Sequence, residues 1–235
     1  MRHVSNRFRD HREEWVISLV FGHIYRMIIT LSDPLKDTRK AYEEIAEVYN
    51  QENQSCDEIV NDLTTFLGGI NGKIIIDVGS GHGRDTKYFS GKGFTSIGLD
   101  LSVELTRIAR KVSWSSSFLL ADMRHLPFRD KAANGLWVCA SFHHLPRNCA
   151  PSTLSEFYRV LTSAGVIHLS VKKGDFVGFE DNNRYQGKPR YYSFYEEEQV
   201  TTMLSESGFC IFSQTESLQE LYERKWINIV AKKHE

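Results

Sequence analysis

The chain has 235 residues, 41% apolar and 25% charged, the composition of one globular domain with a full hydrophobic core. Its formal net charge of −1 excludes a global electrostatic pull toward nucleic acid or an acidic membrane. Cys56, Cys139, Cys149 and Cys210 are scattered without a C-x-x-C pair, which argues against a metal site or a disulfide framework and suits a reducing cytoplasm.

In chain order, residues 1–35 form an extension ahead of a domain spanning 36–235. Met1 to Arg12 is basic, and Trp15 to Leu31 is apolar with His23 and Arg26 inside it. No small-residue cleavage site marks a signal peptide, and the charges interrupt the run that a membrane span needs. Three readings stand: a packing helix that caps the domain or pairs two copies as a homodimer, a natural start at Met27, and a weakly membrane-associated helix.

Lys40 to Asn50 has helical spacing, with Tyr42, Ile45, Ala46 and Tyr49 on one face. A second helical pattern, Asp57 to Leu67, is stopped by Gly68-Gly69. Lys73 to Val78 is the first core strand. It runs through Asp77 into a glycine turn, Gly79-Ser80-Gly81-His82-Gly83. A helix over Asp85 to Lys92 ends at Gly93. Thr95 to Leu99 is a second strand ending at Asp100, and Ser102 can cap a helix over Val103 to Lys111. Phe118 to Ala121 is a third strand, ending at Asp122. Leu136 to Ala140 is a fourth, followed by Ser141-Phe142-His143-His144. A helix over Thr153 to Leu161 leads to a fifth strand, Val166 to Val171. Lys172 to Arg190 reads as a long polar loop of the kind that carries function. A helix over Glu196 to Ser205 precedes two strands, Phe209 to Gln214 and Trp226 to Ala231, with Ser217 to Arg224 between them. The alternation predicts an α/β fold with a doubly wound, mostly parallel sheet. The last two strands lack a helix-sized crossover and read as an antiparallel pair.

The glycine turn alone is a weak signal. It lacks the third-glycine spacing of the dinucleotide fingerprint, and no P-loop lysine follows it. The strand-end acids add the information. In doubly wound sheets ligands bind beyond the carboxyl ends of the strands, so Asp77, Asp100 and Asp122 should converge on one crevice. A carboxylate at Asp100 suits a ribose diol, and one at Asp122 suits an exocyclic amine. Asp77 beside the turn would repel a pyrophosphate and suits an ammonium. S-adenosylmethionine combines these features. Helix capping alone explains one such aspartate more readily than three in register.

The segments IIIDVGSGHG, GLDLS, ADMRHLPF, LWVCASFHHLP and WINIVAKK together resemble class I S-adenosylmethionine-dependent methyltransferases, over roughly Lys36 to Lys233. The resemblance implies a Rossmann-like methyltransferase fold of seven strands, the last inserted antiparallel, with S-adenosyl-L-methionine as cofactor. It implies that Gly79, Ser80 and Gly81 approach the methionine part, with Asp77 holding the turn on the ammonium side. Asp100, followed by Leu101, would bind the ribose. Asp122 would face adenine N6, the Met123 backbone would read the ring, and Ala140 or Ser141 would line the methionyl end. Tyr42 and Tyr49 lie where related enzymes fold an N-terminal helix over the cofactor; plain core aromatics would give the same pattern.

Methyl transfer from a sulfonium is a direct displacement, so the protein mainly aligns the acceptor and excludes water. A base helps only where the acceptor must lose a proton. The candidates are His143 and His144, which read equally well as helix-start residues bonded to backbone; His82 reads as structural. Acceptor identity is expected in Lys172 to Tyr195, with Arg184, Arg190, Tyr191 and Tyr195 as substrate-binding candidates. Cations among aromatics suit an anionic or planar acceptor, although Glu180, Asp181 and Glu196 to Glu198 dilute the charge. The stretch KPRYYSFYEEEQ is similar to a segment of tRNA wobble-uridine carboxymethyl methyltransferases. The FHHLPR region and the neutral total charge are closer to the small-molecule enzymes of the family. Three functions therefore stand: a methyltransferase for a small, anionic molecule, a methyltransferase for tRNA, and a non-catalytic cofactor-binding partner protein.

Overall fold

The computed structural model describes residues 33–180, 185, 187–219 and 224–234. The extension up to residue 32, with its expected helix and homodimer contact, and Arg184 lie outside the described residues. Helices α1 (Pro34–Glu52) and α2 (Val60–Gly69) precede β1 (Ile74–Val78). Then come α3 (Arg84–Gly91), β2 (Thr95–Asp100), α4 (Val103–Val112), β3 (Ser117–Leu120) and β4 (Ala133–Val138). Helix α5 (Ala150–Val160) leads to β5 (Leu161–Lys172). A separate antiparallel pair, β6 (Val177–Glu180) and β7 (Arg190–Ser193), precedes α6 (Glu197–Glu206), β8 (Phe209–Gln219) and β9 (Arg224–Lys233).

The main sheet has seven strands in the order β3-β2-β1-β4-β5-β9-β8. Strands β1 to β5 pair in parallel, and β9 is inserted antiparallel between β5 and β8, as expected. The winding reverses between β1 and β4, so the crevice opens beyond the carboxyl ends of those two strands. Their near-continuous apolar runs are explained by burial on both faces. Ile76, Val78, Leu136 and Val138 pack with Leu154 and Phe157 of α5. Ile75 and Trp137 pack with Leu63 and Phe66 of α2 and Phe89 of α3. Ser102 caps α4, its Oγ accepting from Leu105 N at 3.2 Å. Among the described residues no helix is long and apolar enough to cross a membrane.

Several boundaries differ from expectation. Gly68 and Gly69 are the last residues of α2; the helix stops only at Ile70, where the backbone turns extended. Helix α5 starts at Ala150 rather than Thr153, with a proline in its first turn, and ends before Leu161, which already pairs with Ala133. The expected loop from Lys172 to Arg190 contains β6. Strand β8 continues through Ser217 to Gln219, held by the β9 ladder rather than by apolar alternation.

Candidate functional site

Strand β1 delivers the glycine turn. Gly79 has φ 74° and Gly81 has φ 54°, the left-handed region that glycine adopts without strain. At Gly79 space adds to conformation, because a Cβ there would lie 2.3 Å from Ser141 Cβ. The backbone N–H groups of Gly79 and Ser80 donate to Leu99 O at 2.8 and 2.9 Å, tying the turn to β2. Asp100 completes the tie: its carboxylate accepts from Gly81 N at 2.9 Å and from Ser102 N at 2.8 Å. Burial raises the Asp100 pKa above the usual carboxylate value, and these N–H bonds oppose the rise.

A cavity beside the turn is lined by Tyr49, Gly79, Gly81, Asp100, Leu101, Met123 and Ala140, all of them expected cofactor residues, and by Ser141. Its walls also include Leu35, Leu105 and Ala121, so it offers apolar surface around one carboxylate. Three expected residues are placed elsewhere. Asp77 lies buried beneath the turn and accepts from Thr86 Oγ1 at 2.6 Å. Burial and the neighbouring Asp85 charge push its pKa up. The Ser80 hydroxyl is buried away from the cavity, close to Gly98. The Asp122 carboxylate is gripped by Arg124, with Nη2 to Oδ2 at 2.6 Å; burial would raise its pKa, but that pairing holds it low.

Helix α1 roofs the cavity. Thr38 Oγ1 accepts from Tyr191 N at 2.9 Å, and the Tyr49 ring lies over Gly81, 3.5 Å from where a Cβ would stand. His144 fastens this roof. Its Nδ1 faces Tyr191 O at 2.7 Å, and a carbonyl only accepts, so Nδ1 carries the proton. Nε2 therefore accepts from Tyr42 Oη at 2.9 Å, and Tyr42 Oη in turn accepts from Arg190 Nη1 at 3.2 Å. Burial pushes the His144 pKa down to about 3. His143 is also buried and neutral, its pKa lowered by burial first and then by surrounding charge. Its Nδ1 has no hydrogen-bond partner among the described residues. His82 is buried with its ring edge-on to Tyr49.

A second cavity, of ≈ 820 Å³, adjoins the first and shares Tyr42, Tyr49, Cys139 and Ala140 with it. Ala140 has φ 53°, a strained value for a residue with a Cβ, at the place where the two spaces meet. His143 and Arg190 line the second cavity. Arg190 is 3% exposed, with its guanidinium near the rings of Tyr42, Tyr185 and Tyr192 and its Nε without a partner among the described residues. Side-chain alternation along β7 explains why Arg190 and Tyr192 face this space while Tyr191 does not; its ring packs on Phe179. Tyr195 lies past the strand in the core, against Phe142 and under Arg147.

Lys172, the first residue of the expected acceptor segment, lines the far wall at the end of β5. The sequence pattern does not name the rest of that wall, Ser170 on β5 and Arg224, Trp226 and Asn228 on β9. Nor does it name the floor under the turn. There Asp85 accepts from Arg84 Nε at 2.6 Å and Trp137 Nε1 at 2.8 Å. Burial works against this carboxylate, but Arg84 holds it charged.

A family model described as a methyltransferase domain matches residues 76–169. The malonyl-[acyl-carrier protein] O-methyltransferase of Hamiltonella defensa is 32% identical over 131 residues, 55% of this chain and 50% of that protein. The chain thus spans about half the length of the curated relatives it matches. The crystal structure of Burkholderia thailandensis 1,6-didemethyltoxoflavin-N1-methyltransferase, with bound 1,6-didemethyltoxoflavin and S-adenosylhomocysteine, superposes with a TM-score of 0.69 at 20% identity, covering 87% of this chain and 92% of that one. The [4+2]-cyclase SpnF superposes with a TM-score of 0.61 at 16% identity, covering 77% of this chain and 82% of that one. Likeness at this level shows the fold and not the reaction. The fold is that of the class I methyltransferases.

Proposed function

We propose that this chain, built on the class I methyltransferase fold, uses S-adenosyl-L-methionine to methylate a small anionic molecule held in the larger cavity. The observation that carries the reading is the meeting of two cavities at Tyr42, Tyr49, Cys139 and Ala140, with a buried Arg190 on the acceptor side that has no carboxylate partner among the described residues. The first cavity fits the cofactor by its own features: a glycine turn with no room for a Cβ at Gly79, apolar walls, and an Asp100 carboxylate that backbone N–H groups hold at the cavity wall.

When bound, the cofactor supplies a methyl group already activated on a sulfonium. Asp100 would hold the ribose hydroxyls, and Gly79 and Gly81 let the backbone approach the methionyl part. Tyr49 excludes water above Gly81. Asp77 is assigned to the turn itself, through Thr86, and Met123 to the adenine side of the cavity. Asp122 would meet adenine only on release from Arg124. Of the two histidines, His144 has both nitrogens committed and is a positioning residue. His143 lines the acceptor cavity and stays neutral. An acceptor that is already anionic has no proton to lose, so His143 orients it and Arg190 neutralises it by charge-assisted hydrogen bonds. The names of the curated relatives support an acyl carboxylate as the first acceptor class to try. Four free thiols suit the cytoplasm.

The test is incubation of the full chain with methyl-labelled cofactor and separate small-molecule and RNA extracts. Label in an acidic small molecule is the expected result. Label in RNA would replace this reading with the tRNA one. Cofactor binding without any transfer would favour the non-catalytic partner protein.

A further inference from the structure

The second cavity holds more positive charge than a single anion requires. Lys172 is 7% exposed, and its Nζ stands 3.5 Å from the Tyr192 ring centroid. It donates to Glu180 Oε2 at 3.0 Å, while Arg224 Nη2 donates to Glu180 Oε1 at 2.5 Å. One carboxylate thus serves two cations. Arg190 has tyrosines around it and no acid among the described residues. Of the other charges lining this space, Arg84 is paired with Asp85, and Glu58 sits at the exposed rim, accepting from Gln219 Nε2 at 3.3 Å.

We propose that the acceptor carries two anionic groups, one seated at Arg190 and the other on the cavity-facing sides of Lys172 and Arg224, away from the acid they share. This rests on the methyltransferase reading above and names the substrate class of the same site. Buried cations without counter-charge cost folding free energy, and a ligand that supplies the charge recovers it. The cost is visible at Lys172. Burial, with Arg224 and Arg190 adding to it, pulls its pKa down to about 8 against the opposing Glu180. It is visible again at His143, whose neutral state is reinforced by Lys172, Arg190 and Arg224 together.

The two seats are neighbours. Arg190 and Lys172 both lie against the Tyr192 ring, 5.6 and 3.5 Å from its centroid. Tyr42, Tyr185, Tyr192 and Trp226 line the same cavity. A short aliphatic diacid or a flat aromatic diacid fits those walls and both charges. Tyr42 borders the cofactor cavity and touches Arg190, which places the Arg190-held group nearer the methyl donor.

The experiment is calorimetry on the full chain, first with S-adenosylhomocysteine and then, at saturation, with four probes: glutarate, isophthalate and the monomethyl ester of each. We expect at least one diacid to bind tenfold or more tighter than its own monoester. Lys172→Met should bring that diacid to the monoester level while changing monoester affinity less than twofold, and Arg190→Met should weaken both. Equal affinity of diacid and monoester, no binding of any probe, or an equal loss of both in Lys172→Met overturns the two-anion assignment. The wild-type comparison decides the matter even where a variant fails to fold. Absence of heat with S-adenosylhomocysteine is a different failure, and it would remove the methyltransferase reading itself.

Discussion

The two sides of the crevice are built in opposite ways. On the donor side the acids are satisfied within the chain: Asp77 by Thr86, Asp100 by Gly81 and Ser102, Asp122 by Arg124. On the acceptor side Arg190 Nε and His143 Nδ1 have no partner among the described residues, and two cations share Glu180. A site that must admit one fixed ligand can be finished by its own backbone. A site that waits for a charged ligand stays electrostatically incomplete, and the fold bears the cost.

That contrast can be broken at several points, the most severe on the donor side. Gly79→Ala forces a left-handed conformation and drives a Cβ into Ser141, so it should cost about 2 kcal/mol or more of stability and abolish cofactor binding. Denaturant unfolding together with calorimetry checks it, and an unchanged midpoint would show that the turn is not strained in this way. On the acceptor side Arg190→Met should lower kcat/KM by about 100-fold, the scale of one lost charge-assisted contact, with cofactor affinity unchanged. Equal losses in both quantities would erase the distinction between the two sides.

Acid should weaken both sides. Burial holds His82 down to about 4, His144 and His168 to about 3, and His143 well below its ordinary value. The unfolded chain binds those four protons near pH 6.5 and the native one does not; this outnumbers the opposite pull of Asp77 and Asp100, whose raised pKa values favour the native state in acid, so stability falls as pH drops from about 6.5 to about 4. His168 stacks on Trp137 at 3.8 Å, with both nitrogens unpartnered among the described residues, so His168→Phe should make the loss shallower by one proton. Thermal melts at pH 7 and pH 5 measure it, and a flat profile would contradict it.

The smallest effect is a gain. Lys172 has its pKa depressed by burial, so the unfolded chain binds its proton more tightly between about pH 8 and pH 10.5. Stability therefore rises with pH across that window, and the charge is a burden below it. Lys172→Met should raise the Tm of the ligand-free protein by about 2–4 °C, or roughly 1 kcal/mol for a domain of this size. A lowered Tm would mean that Lys172 is structural.

The glycine-turn cavity was legible in the sequence because it is local. One strand, one turn and the next strand ends carry it, so the glycines, Asp100, Leu101, Met123 and Ala140 could be named in advance and do line one cavity. The exact aim of an aspartate could not: Asp122 turns to an arginine two residues along, a choice of rotamer that no spacing records. The acceptor side draws on α1, β5, β7 and β9, whose meeting is a property of the sheet order. Lys172 read as the start of a loop because its partner acid, Glu180, lies on a strand with exposed, alternating residues. Tyr191 and Tyr195 were placed by the same aromatic-rich stretch as Arg190, but strand phase and core packing take them out of the cavity.

The most direct measurement is a calorimetric titration of S-adenosylhomocysteine into the folded chain and into Asp100→Ala. Saturable one-to-one heat in the wild type, weakened about 100-fold or more in a variant that keeps its circular dichroism, is the predicted result. No heat in the folded wild type, or equal affinity in the two, would contradict the assignment of the glycine-turn cavity to the methyl donor.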